Sequence, residues 1–148
     1  MIEISRYEVQ GGVSEYHVMI HVDNPRLTYA EQVNSVLSAY TQLLEGELKG
    51  AVTVFNRFFL SDAANQSDYL QLLLLEQEAC TLSIVEQPPL NGTKIALWAY
   101  LQKGVELKAL SHGMYEVKHG AYRHLWMAGA CHETSDAEAQ TRQLFDDY

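Results

Sequence analysis

Ala51-Val-Thr-Val-Phe-Asn-Arg-Phe-Phe-Leu-Ser-Asp-Ala-Ala-Asn-Gln66 reads as a buried strand that runs straight into a helix start. Period-two alternation puts Val52, Val54, Phe58 and Leu60 on one face, with Asn56 among them. Phe55, Arg57 and Phe59 fall on the other. A strand apolar on both faces is covered on both sides or lies at a subunit interface. Arg57 then has two readings: a strand arginine paired with one of the chain's acids, or an anion-binding arginine in a cleft.

Upstream, Ile2 to Val9 alternates as a short strand, and Gly11-Gly12 turns the chain. Tyr16 to Val22 is a second strand, with His17, Met19 and His21 on one face. His17 and His21 match a metal spacing only on a helix. On a strand, residues four apart sit roughly 13 Å apart, too far to share an ion. Thr28-Tyr-Ala-Glu31 is a capping box, and Tyr29, Val33, Val36, Leu37, Tyr40, Leu43 and Leu44 follow at helical spacing. Gly46 and Gly50 close that helix.

Downstream, Asn65, Ser67 or Asp68 can cap a helix to about Glu78, with Leu70 and the run Leu72 to Leu75 as its buried side. Cys80 to Glu86 is the next strand. Pro88-Pro-Leu-Asn-Gly92 carries the Asn-Gly hairpin signal, and Lys94 to Leu101 returns. The predicted order is β-β-α-β-α-β-β, an α+β sandwich of one mixed sheet with two helices on one face.

With 148 residues and 47% apolar content, the chain can build one real core. Nineteen acids against ten bases leave a net charge of −9, which argues against nucleic acid, whose phosphates need a basic footprint. Cys80 and Cys131 form no CxxC pair and no zinc spacing, so neither a metal nor another cofactor is expected. No basic-then-apolar leader opens the chain, and its longest apolar run, Leu72 to Leu75, is far short of a membrane span. These features predict a cytoplasmic protein with no membrane partner.

The tail echoes the start. At an offset of 108 residues, Tyr7-Glu-Val9 falls on Tyr115-Glu-Val117, Gly12 on Gly120, Met19 on Met127 and Gln32 on Gln140. A second capping box, Ser135-Asp-Ala-Glu138, lies one position out of register. Self-similarity at a fixed period implies duplication. The expected division is a domain over 1–102, a connector over 103–112 and the start of a second repeat over 113–148. That repeat stops inside its first helix, with Leu144, Phe145 and Tyr148 expected to face a core.

Several segments carry a family resemblance, and their order and spacing make the case. Phe58-Phe-Leu-Ser-Asp62, Ala79-Cys-Thr81, the proline turn with Gly92, and Lys94-Ile-Ala-Leu-Trp-Ala-Tyr100 resemble motifs of the RidA/YjgF-like family, once labelled L-PSP endoribonucleases or translation-initiation inhibitors. Tyr7 and Tyr115 resemble its early tyrosine, and Leu125-Trp-Met-Ala-Gly129 another of its strands. The resemblance implies a chorismate-mutase-like α+β fold, a homotrimer, and ligand clefts between subunits. It also implies hydrolysis of enamines and imines, with an arginine holding the substrate carboxylate. Here that arginine position falls on Cys80, and an acidic position on the closing strand falls near Trp98. A thiol makes no bidentate contact and an indole cannot position water as a carboxylate does. The expectation is a domain binding a small molecule, with a carboxylate as the candidate chemistry, and with Tyr7, Arg57, Cys80 and Trp98 as candidate cleft residues. The alternative is half of a two-domain enzyme, chorismatase-like or an imine deaminase, completed by a second repeat or another subunit.

Overall fold

Alternating β-branched and aromatic residues form the strands, and the capped leucine-rich segments form the helices between them. The computed structural model describes residues 1–75, 80–110, 114–128 and 136–147. β1 (Ile2–Tyr7) and β2 (Ser14–His21) precede α1 (Tyr29–Glu45). β3 (Val52–Leu60), α2 (Ala63–Leu74), β4 (Thr81–Glu86) and β5 (Ile95–Lys103) complete a five-stranded sheet of order β1-β2-β5-β3-β4. β3 runs parallel to β4 and antiparallel to β5, so the sheet is mixed. The protein is α+β, as the order of sequence elements implied.

β3 sits between β5 and β4, which corrects the hairpin expected at Asn91-Gly92. The 87–94 segment crosses the end of β3 instead. Gln87 N–H donates to Leu60 O (2.9 Å) and Ser61 N–H to Lys94 O (3.0 Å), so both legs of the crossing are tied to that end. Gly92 still turns, at φ 77°, and its N–H donates to Pro89 O (3.1 Å). The dipeptide specified a local turn, while strand pairing was settled by the apolar β3 inserting between β4 and β5.

The alternation read for β3 breaks at its start. Thr53 pairs with Leu101 and Phe55 with Tyr100, so Val54 is an extra residue. This bulge turns Val54 towards the Phe55 side, where it is buried with Phe55, Tyr100 and Val117. It puts Thr53 on the helix side, bonded to the Tyr40 hydroxyl at 2.7 Å. Val52 and Val54 therefore do not share the Phe58 and Leu60 face.

That face is the main core. Val18, Ile20, Phe58, Leu60, Leu97 and Leu101 pack under Val33, Val36, Tyr40 and Leu43 of α1 and Leu70 of α2. Burying a side chain of this size contributes about 1.5–3 kcal/mol. The Thr28 capping box is complete: Glu31 N–H donates to Thr28 Oγ1 (3.4 Å), and Thr28 N–H donates to the Glu31 carboxylate (2.8 Å). The Thr28 hydroxyl, which donates to the Glu31 carboxylate at 2.7 Å, and then the Thr28 amide hold that carboxyl below its usual pKa. Gln32, fully buried, ties α1 to the sheet by donating to Leu27 O (2.9 Å) and accepting from Lys94 N–H (2.7 Å).

α2 corrects two expectations. Its N-cap is Asp62, whose carboxylate accepts from Asn65 N–H (3.3 Å). Its leucines do not form one buried side: Leu70 is buried, but Leu72 is 64% and Leu75 80% exposed. At 100° per residue, consecutive leucines cannot all face one sheet. The expected end at Glu78 lies outside the described residues.

After β5 comes a second, antiparallel sheet: β6 (Glu106–Ala109), β7 (Met114–His119) and β8 (Tyr122–Met127). β6 falls within the stretch read as a connector. α3 (Ala137–Asp147) follows, with Asp136 accepting from Glu138 N–H (3.2 Å) and Ala139 N–H (3.3 Å). Ser135 of the tail's capping box lies outside the described residues, as do the side chain of Leu144 and all of Tyr148. Phe145, expected to face a core, is 78% exposed, because no described element packs over it. Among the described residues no helix is long and apolar enough to cross a membrane.

Candidate functional site on the helix-free face

Alternation that sends Val18, Phe58 and Leu97 under the helices sends their neighbours to the opposite face. Strand register arranges these in rows. Met19 of β2 pairs with Trp98 of β5, Trp98 with Arg57 of β3, and Arg57 with Ser83 of β4. One step along, His17, Tyr100, Phe55 and Thr81 form a parallel row; one step the other way lie His21, Ala96, Phe59 and Val85.

The second sheet covers part of this face. Val117, Leu107 and Trp126 pack on Phe55 and Tyr100, with the Trp126 ring 5.3 Å from Tyr100 and 6.1 Å from Phe55. Burial there pushes the Tyr100 phenol up from its ordinary pKa. The other part forms a cleft of about 370 Å³. Its floor is Met19, His21, Phe59 and Ala96, and the Pro88-Pro89-Leu90 segment stands at its side. Trp98 and Arg57 occupy the seam between the covered part and the cleft.

Arg57 is half-buried and held by rings. Its guanidinium carbon lies 5.2 Å from the Phe55 centroid and 5.9 Å from that of Trp98. Nε–H points to Ser83 Oγ at 3.4 Å, a long contact. Side-chain ion pairs among the described residues join Arg6 to Glu47, Arg123 to Glu116 and Arg142 to Glu138, and none reaches Arg57. These two ring contacts hold the guanidinium in place and leave its terminal N–H donors for an anion. The His17 ring stacks on the same Trp98, 5.8 Å away and 12° from parallel.

The four residues singled out from the sequence do not form one cluster. Arg57 and Trp98 are brought together as register partners. Cys80 precedes β4, with its thiol accepting from the Asn56 backbone amide; burial pushes that thiol up to about 11. A thiol so protonated is a poor nucleophile near neutrality. Tyr7 ends edge strand β1, is 65% exposed, and pairs with Glu15. β1 is three strands from β3, about 14 Å at ordinary strand spacing, so Tyr7 cannot touch an Arg57 ligand within one chain.

Ser83, His17, Phe55 and the 87–91 wall went unseen as site residues. Their signal is cross-strand register, which no single strand's pattern displays. Among the described residues no group of three or more His, Cys, Asp or Glu side chains could hold a metal, and His17 meets Trp98 and Tyr100 rather than His21.

No family model matches this chain, and no curated protein does. Among solved structures, an uncharacterized protein from Pseudomonas aeruginosa aligns at 18% identity, over 68% of this chain and 99% of its own, with a TM-score of 0.44.

Proposed function

We propose that this chain is a small-molecule-binding domain of the RidA/YjgF type that takes a carboxylate-bearing ligand at the Arg57 seam. One observation carries the reading. Arg57, half-buried in a chain with nineteen acids, has no carboxylate partner among the described residues and lies beside an apolar cleft. The ligand's carboxylate meets the guanidinium fork, and its small apolar part enters over Phe59 and Met19. The strand order and the placement of α1 and α2 on one face support a chorismate-mutase-like arrangement. Apolar side chains left open around the cleft support assembly as a homotrimer through that face. Imine or enamine hydrolysis of the family's kind is disfavoured, since Cys80 supplies no fork and its thiol stays protonated. Titration with pyruvate and 2-oxobutyrate tests the reading: saturable binding that weakens in Arg57→Gln is expected, and absence of binding to wild type refutes it.

A second reading is half of a two-domain enzyme, chorismatase-like or an imine deaminase. It is favoured by element starts: Ser14 and Tyr122 open β2 and β8, and Tyr29 and Ala137 open α1 and α3, at the same offset of 108 residues. On this reading the 148-residue chain alone does not hydrolyse 2-aminoacrylate. Turnover by that chain, followed as ammonia release, would count against it.

A further inference from the structure

The helix side of β3 carries a polar group that the site on the other face does not use. Asn56 is 8% exposed, and its Oδ1 is buried with no hydrogen-bond partner among the described residues. It lines a narrow cavity of about 70 Å³ beneath the helices with Leu37, Tyr40 and Leu44 of α1, Thr53 and Phe58 of β3, and Leu74 of α2. Thr53 and Tyr40 bring two more oxygens to that lining, bonded to each other at 2.7 Å. We infer that this cavity is an internal hydration site, holding about two water molecules that donate to Asn56 Oδ1 and to the hydroxyl pair.

Three features support water as the guest. The volume is about twice the share of one water in the liquid. A buried amide oxygen without a donor is costly, and among the described residues none donates to Asn56 Oδ1. Three oxygens around one small space give each water the two to four polar partners it needs, whereas a dry cavity is lined by carbon alone. The Asn56 amide can be turned without harm to the inference, because its Nδ2 would then donate to the same water. The bulge at Val54 is what assembles the site: it moves Thr53 to the helix side, the side Asn56 also faces.

The test uses water nuclear relaxation dispersion on the full chain, comparing wild type with Asn56→Leu, whose side chain fills the space. One or two fewer long-lived waters in the variant is the expected result, and an unchanged count overturns the inference. Should Asn56→Leu fail to fold, wild type alone decides by cross-relaxation between water and the Asn56 side-chain amide: a direct, slowly exchanging signal supports the site. No such signal, or xenon entering the cavity under pressure, shows it dry and overturns the inference.

Discussion

Replacing Arg57 with glutamine removes the charge and the two-pronged fork and keeps a planar amide on a shorter stem. In the fold the loss is modest. Two cation–ring contacts at 5.2 and 5.9 Å, partly open to solvent, contribute about 0.5–1 kcal/mol. The 3.4 Å contact to Ser83 adds little at that length. At the ligand the loss is larger. A charge-assisted hydrogen-bonded pair is worth about 1.5–3 kcal/mol, which converts to a roughly 10- to 150-fold weaker Kd for a carboxylate. Arg57→Lys keeps the charge but not the fork or the stacking, so it falls between the two. The assay is indole fluorescence. The chain has two tryptophans, and in a Trp126→Phe background Trp98, next to Arg57, is the reporter. Pyruvate and its methyl ester are titrated side by side. Equal affinity of wild type for acid and ester, or equal affinity of wild type and Arg57→Gln for the acid, refutes the reasoning.

Other outcomes follow from the core, the cap and the thiol. Phe58→Ala, at a fully buried position under the helices, is expected to cost about 3–5 kcal/mol in urea unfolding, while Leu72→Ala, on the exposed side of α2, stays within about 0.5 kcal/mol. Thr28→Ala removes the N-cap of α1 and is expected to cost about 1 kcal/mol, read as a lower thermal midpoint. Cys80, whose folded pKa of about 11 stands above its ordinary 9.0, binds its proton more tightly in the native state. Its contribution to stability is therefore full below pH 9 and lost as pH rises towards 11, a fall that Cys80→Ser should flatten. Peptide-resolved alkylation at pH 8 is expected to label Cys80 far more slowly than the same peptide unfolded.

How much was legible depended on the range of the interaction. The order β-β-α-β-α-β-β and the capping box at Thr28 are local, set by residues within a turn of each other, and the sequence reading found them. The Leu72–Leu75 run misled because composition was read without helical phase; only part of that run turns inward. Asn91-Gly92 misled because a turn signal says how the chain bends, not which strand it then meets. The site was half legible: Arg57 stood out as a charge in an apolar strand. Its neighbours Ser83 and Trp98 are set by pairing between strands far apart in sequence. Cys80 and Tyr7 came from resemblance rather than local chemistry, and within one chain neither lies in the Arg57 row.

The bulge at Val54 lets one strand serve two interiors. Before it, the even-numbered residues face the second sheet; after it, they face the helices. Removing Val54 itself would leave an unbroken ladder, with Thr53 still opposite Leu101 and Val52 still opposite Gln102; what would be lost is the valine that fills the second interior. Natural variants of this strand should therefore keep an apolar side chain at position 54 or lose that residue cleanly, while a one-residue change of length between Phe55 and Leu60 would put one of the two interiors out of phase.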